Sequence, residues 1–176
     1  MKRIAINGSQ PGRRSNLTKA LSAMTGMDMV LNTPYQTIAS QYQMAPDMSE
    51  CIWPEAYIYC LEAFTRKIMF EQKYGDGFIS DGGVFEEICW IKHLDSCIGS
   101  IYEMTVISSF EKVMMNYALN AYDYIFHIES GEPLDAINRV LKQLYRQHAL
   151  KHHIIDESND EKALHQMIAH LSKESV

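Results

Sequence analysis

The residues best suited to chemistry lie near the start of the chain, in Arg3 to Leu17, R-I-A-I-N-G-S-Q-P-G-R-R-S-N-L. Ile4, Ala5 and Ile6 form a short apolar strand pattern, Gly8 opens a turn, and Arg13, Arg14, Ser15 and Asn16 lead into an amphipathic run. Strand, tight loop and helix start in that order suit an anion, because the first helical turn carries unpaired N–H groups and a partial positive charge. The phosphate-cradling form of this layout is G-x-x-x-x-G-K-[ST]. Counted from Gly8, Arg13 stands at the second glycine, Arg14 at the lysine and Ser15 at the hydroxyl. Shifted by one, Gly12 and Arg13 fill the Gly-Lys pair and Arg14 takes the hydroxyl position. Neither register is complete.

Further polar residues sit where other strands end. Asp81 closes the run G-F-I-S-D, and Asn32-Thr33-Pro34-Tyr35 follows the second apolar run. In a parallel sheet these ends share one edge with the Gly8–Ser15 loop, and ligands settle at that edge. Asp81 either takes part in chemistry or caps the helix that starts at Gly83. Glu86 and Glu87 fall in that helix's first turn, where the macrodipole favours acids regardless of chemistry, and either could face a ligand. Tyr35, beside Gln36, either packs or stacks on a substrate. His152 and His153 are adjacent, so on a strand they point to opposite faces and cannot chelate together. A His127–His153 pair lacks a third ligand. Nothing local suggests a Ser-His-Asp or Cys-His arrangement. Cys51, Cys60, Cys89 and Cys97 lack C-x-x-C spacing and read as reduced, buried thiols.

Short apolar runs alternate with longer runs of helical period, the pattern of a parallel sheet with helices on both faces. Strands are expected over 2–7, 27–32, 77–81, 123–129 and 151–156, and helices over 15–25, 35–44, 52–74, 83–97, 101–121, 134–149 and 159–173. At 176 residues the whole chain reads as a single domain, 1–176. A net charge of −6 argues against a sequence-independent grip on nucleic acid, which runs on basic stripes. Neither a signal peptide nor a membrane-spanning run is visible, so a cytoplasmic protein is expected.

Strand, G-x-x-x-x-x-R-S and helix, then F-I-S-D (Phe78–Asp81), Y-D-Y-I-F-H-I (Tyr122–Ile128) and H-H-I-I-D (His152–Asp156), follow one another in order. In that order the chain resembles P-loop small-molecule kinases. The nearest group is the AAA-type ATPase/kinases related to nicotinamide-riboside and nucleoside or nucleotide kinases, and the likeness spans nearly the whole element order. The resemblance implies a three-layer α/β fold with a five-stranded parallel sheet in the order 2-3-1-4-5. It also implies ATP and Mg²⁺ at the first loop and a phosphoryl acceptor across the strand ends. Carried over by position, Gly8, Ser9, Gln10, Pro11 and Gly12, with Arg13, would wrap the β-phosphate. Arg14 would reach the β- and γ-oxygens, Ser15 would hold Mg²⁺, and Asp81 would be the metal-side carboxylate or would orient the acceptor.

The sequence departs from the family at definite places. Arg14 keeps the lysine's charge but presents a planar guanidinium instead of a point charge. Arg13 brings a side chain where glycine lets backbone approach phosphate. Asp81 is followed by Gly82 and Gly83, where the family often has Asp-Arg. Ser130-Gly131-Glu132-Pro133 leads directly into a helix, where family members usually insert an Arg-bearing lid; Arg139 and Arg146 compensate only if turned toward the strand ends. Two expectations follow. One is a nucleotide-binding protein capable of ATP-dependent phosphoryl transfer. The other is a catalytically inactive kinase-like scaffold that binds, assembles or regulates, with a helix face available for a homodimer. Either way the partner is a nucleotide or another phosphate-bearing small molecule.

Overall fold

Side chains alternate across each strand, so a strand that is apolar at successive positions needs cover on both faces. The computed structural model describes residues 2–45, 53–95, 101–129, 136–156 and 159–173. Its strands are β1 (Arg3–Asn7), β2 (Asp28–Val30), β3 (Phe78–Asp81), β4 (Tyr124–Ile128) and β5 (His153–Ile155). All pair in parallel, in the order β2-β3-β1-β4-β5, as the kinase resemblance implies. The three central strands are buried almost throughout, while the edge strands β2 and β5 are partly exposed.

The helices are α1 (Pro11–Thr25), α2 (Tyr35–Tyr42), α3 (Trp53–Tyr74), α4 (Phe85–Asp95), α5 (Ile101–Ala121), α6 (Ala136–Gln147) and α7 (Asp160–Lys173). Ile4 and Ile6 point to one face, where Ile79, Phe126 and Ile155 join Leu17 and Leu21 of α1 and Met167 and Leu171 of α7. Ala5 and Ile125 point to the other, against Phe64 of α3, Ile88 of α4, Met114 of α5 and Leu144 of α6. Among the described residues no helix is long and apolar enough to cross a membrane.

One boundary differs in a way that matters for the site. The sequence pattern starts the first helix at Ser15, yet α1 starts at Pro11. Proline's fixed φ is preset for the first helical position, and its missing N–H is lost there at no cost. The motif reading extended a loop through residues whose own backbone preference is helical. β2 and β5 are also shorter than expected, as edge strands commonly are. Cys60 and Cys89 are buried thiols outside any disulfide. Cys51, Cys97 and the Ser130–Pro133 segment lie outside the described residues.

Candidate functional site

β1 and β3 are neighbours with Ile6 opposite Asp81, so their carboxyl ends finish side by side. The Gly82 amide donates to the Ile6 carbonyl at 2.8 Å and closes that corner. Only Gly8, Ser9 and Gln10 separate β1 from α1. Gly8 has φ +152°, and a Cβ there would stand 2.8 Å from the Ile128 carbonyl oxygen on β4. Glycine is therefore required at Gly8 by chain geometry alone.

Arg14 turns inward from the first turn of α1 and is 4% exposed. Its Nε donates to Asp81 Oδ1, its Nη1 to the Gly8 carbonyl at 3.0 Å and its Nη2 to Glu86 Oε2 at 2.7 Å. Ser15 Oγ donates to the other Asp81 oxygen, and Asn32 Nδ2 donates to Glu86 Oε2. Burial works against the Arg14 charge, but Glu86 and Asp81 outweigh it, and the guanidinium is held more firmly protonated than usual. Gly82 makes this arrangement fit. Its φ is +76°, and a Cβ there would lie 3.1 Å from Glu86 Oε2 and 3.4 Å from Arg14 Cζ. The two family departures, Arg14 and Gly82, thus occupy adjoining space.

A cavity of about 420 Å³ opens beside this corner, within the range of small-molecule sites. Asn7, Gly8, Ser9 and Pro11 line one side, Arg14, Gly82 and Glu86 the base, and Cys89, Trp90 and Lys92 of α4 face Ile137, Val140 and Leu141 of α6. The walls are mainly apolar, with a few polar groups at the strand end. Asn7 Nδ2 is tied to the Tyr145 hydroxyl at 3.0 Å, and Lys92 pairs with Glu111 at 2.8 Å. Burial pushes the Cys89 thiol up, so it stays protonated.

Behind β3 lies a second buried polar group. Lys67 donates to the Asp81 backbone carbonyl at 2.6 Å. Glu71 accepts hydroxyl hydrogen bonds from Ser80 at 2.5 Å, Tyr117 at 2.7 Å and Tyr122 at 2.9 Å, and burial raises its pKa. Glu87 is buried nearby; burial pushes it up to about 7, with Lys67 opposing that shift. Sequence reasoning missed Lys67 and Glu71. Their signal was present: Cys60, Phe64, Lys67 and Glu71 fall on one helical stripe, where charges are out of place.

The other candidates divide plainly. Gln10, Pro11 and Gly12 are exposed, with Pro11 and Gly12 in the first turn of α1 instead of in a loop. Arg13 points away to α7, its Nε donating to Asp160 at 2.7 Å. Tyr35 packs edge-on against Tyr59 and donates to the Ala45 carbonyl, so it packs in the core, while Gln36 is exposed. His127 meets Tyr145 on one side of the sheet, whereas His153 stacks near Phe126 and His170 on the other. The His127–His153 pair does not form. Arg139 and Arg146 are exposed on α6. Among the described residues no three His, Cys, Asp or Glu side chains are arranged to hold a metal.

No protein-family model matches the sequence, and no curated protein shows significant similarity to it. Solved structures do. Deoxyadenosine kinase from M. mycoides, with dCMP and dCDP bound, superposes with a TM-score of 0.70 at 15% identity, over 97% of this chain and 98% of that one. Thymidylate kinase from Candida albicans gives 0.65 at 10% identity, over 99% and 92%. The YorR protein from Bacillus subtilis, solved with phosphorylated GDP, gives 0.55 at 11% identity, over 98% and 96%.

Proposed function

We propose that this chain, built on the nucleoside- and nucleotide-kinase fold, binds a nucleotide or nucleoside in the cavity between α4 and α6 and does not transfer phosphoryl groups. The buried Arg14 carries this assignment. The side chain expected to reach triphosphate oxygens instead turns all three of its nitrogens to partners within the protein, Asp81, Glu86 and the Gly8 carbonyl. Freeing it would leave the buried Asp81 carboxylate without its charged partner, a loss of about 3–5 kcal/mol in comparable cases. Pro11, Gly12 and Arg13 belong to a helical turn and do not form a cup around a β-phosphate. Ser15 and Asp81, expected to hold Mg²⁺, do meet, yet both Asp81 oxygens already have donors. These residues do not fit ATP with Mg²⁺ in this arrangement.

What fits the cavity is a flat, largely apolar heterocycle against Trp90 and the aliphatic side chains of α6, with sugar or phosphate oxygens toward Asn7, Ser9 and Lys92. Residence in the cytoplasm and a homodimer through a helix face belong to the same proposal. One observation favours the rival reading, ATP-dependent transfer: Ser15 and Asp81 are adjacent at the first turn of α1. Calorimetric titration with nucleosides and nucleoside monophosphates, with and without EDTA, separates the two when paired with an ADP-release assay on an acceptor panel. Binding without ADP formation is expected. ADP release abolished by Arg14→Ala and by Asp81→Asn would establish transfer, and absence of binding across the panel would overturn both.

A further inference from the structure

We infer that Arg14 is an internal cation standing in the place of a divalent metal ion, so that the strand-edge site is complete without one. Two carboxylates, one carbonyl and one hydroxyl converge on the end of β3: Asp81, Glu86, Gly8 O and Ser15. Hard oxygen donors of this kind suit Mg²⁺ or Mn²⁺. Here three of them hold a guanidinium directly, and the fourth, Ser15, braces Asp81. Arginine matches the task because its planar fork presents several donors in fixed directions and keeps its charge when buried.

The surroundings are cut to the guanidinium. At Gly82, whose φ of +76° itself favours glycine, a Cβ would crowd the Glu86 oxygen that Arg14 holds, at 3.1 Å. Asn32 Nδ2 donates to the same Glu86 oxygen that Arg14 holds, Oε2. Lys67 reaches the Asp81 backbone carbonyl and not its carboxylate, which leaves the carboxylate to Arg14 and Ser15. Truncating Arg14 leaves a space lined by two carboxylates and a carbonyl, where a divalent ion balances the charge in full.

This inference goes beyond ligand binding in the cavity and does not depend on it, since its test contains no nucleotide. Purified wild-type protein, Arg14→Ala, Arg14→Lys and the double variant Arg14→Ala/Asp81→Asn are titrated with Mn²⁺, free ion being read by electron paramagnetic resonance. Thermal melts in EDTA and in MnCl₂ accompany each titration. The wild type and Arg14→Lys, each holding its own cation, are expected to show no saturable Mn²⁺ binding and no metal-dependent shift in Tm. Arg14→Ala is expected to bind Mn²⁺ at least ~10-fold more tightly than the wild type and to melt higher in MnCl₂, because a ligand held only by the folded state raises Tm. The double variant is expected to lose that gain. If Arg14→Ala folds only in Mn²⁺, the recovered melt is the same result. Saturable Mn²⁺ binding by the wild type overturns the inference, as does an Arg14→Ala protein that neither binds Mn²⁺ nor is rescued by it.

Discussion

Ser80 and Asp81 are consecutive on β3 and both are buried, yet they serve opposite faces of the sheet in different ways. Ser80 looks toward α3 and donates to Glu71, a carboxylate that accepts hydrogen bonds from the hydroxyl groups of Ser80, Tyr117 and Tyr122, with the Lys67 charge nearby. Asp81 looks toward α1 and is bound to a charged partner, Arg14, with Ser15 on its other oxygen. On the α3 face the acid has its pKa raised, and proton uptake can relieve its burial. On the α1 face Asp81 and Arg14 are buried against each other, so losing one partner strands the other. The ligand-facing edge therefore holds the brittle cluster, and the back of the sheet holds the tolerant one.

Asp81→Ala should produce the largest effect of breaking that contrast. It leaves the Arg14 guanidinium buried with only Glu86 and the Gly8 carbonyl, a loss of about 3–5 kcal/mol in comparable buried pairs. Urea unfolding followed by circular dichroism measures it. A loss under 1 kcal/mol, on the order of a surface pair, would place Arg14 in solvent and remove the difference between the faces.

Glu87 sharpens the comparison through pH. Its ordinary value of 4.5 is pushed up to about 7 in the folded protein, first by burial. A carboxyl with a raised folded pKa binds more protons folded than unfolded between those values. Stability should thus be greatest below about 4.5 and fall as pH rises toward 7, by roughly 3 kcal/mol for this group. Glu87→Gln should flatten that slope, leaving the part of the same sign that Glu71 contributes, read as urea midpoints across pH 4.5 to 8. An unchanged slope in the variant would assign the pH dependence to another group.

Much of this architecture was legible in the residues. The 3.6-residue period and the apolar runs located every described element, because burial on both faces of a parallel sheet leaves a dense local signature. The corner of the site was legible only by residue type. Arg14, Ser15 and Asp81 stand out in the sequence, and the structure brings them together, but a motif does not say whether a guanidinium turns outward or inward. That direction depends on Glu86, 72 positions away in the chain. In sequence, Gly82 reads as a missing arginine; in space it is a positive-φ turn residue set against the Glu86 oxygen. The cavity walls come from α4 and α6, whose approach is a tertiary fact with no local trace.

Ser80→Ala should produce the smallest effect, and for that reason it discriminates best between the two faces. Removing the hydroxyl takes one donor from Glu71 while Tyr117 and Tyr122 keep theirs. A single net hydrogen bond of this kind contributes about 1 kcal/mol, or about 1.5–3 kcal/mol when its partner is charged. The raised pKa of Glu71 argues for the lower figure, because burial already moves the group toward its neutral form. A protonated Glu71 could also turn its own proton toward a tyrosine oxygen. The loss should therefore be near 1 kcal/mol and should shrink further as pH falls. If Ser80→Ala instead matched Asp81→Ala in the same urea assay, Glu71 would have to be a fully charged acid held by its donors, and the two sides of β3 would be equally brittle.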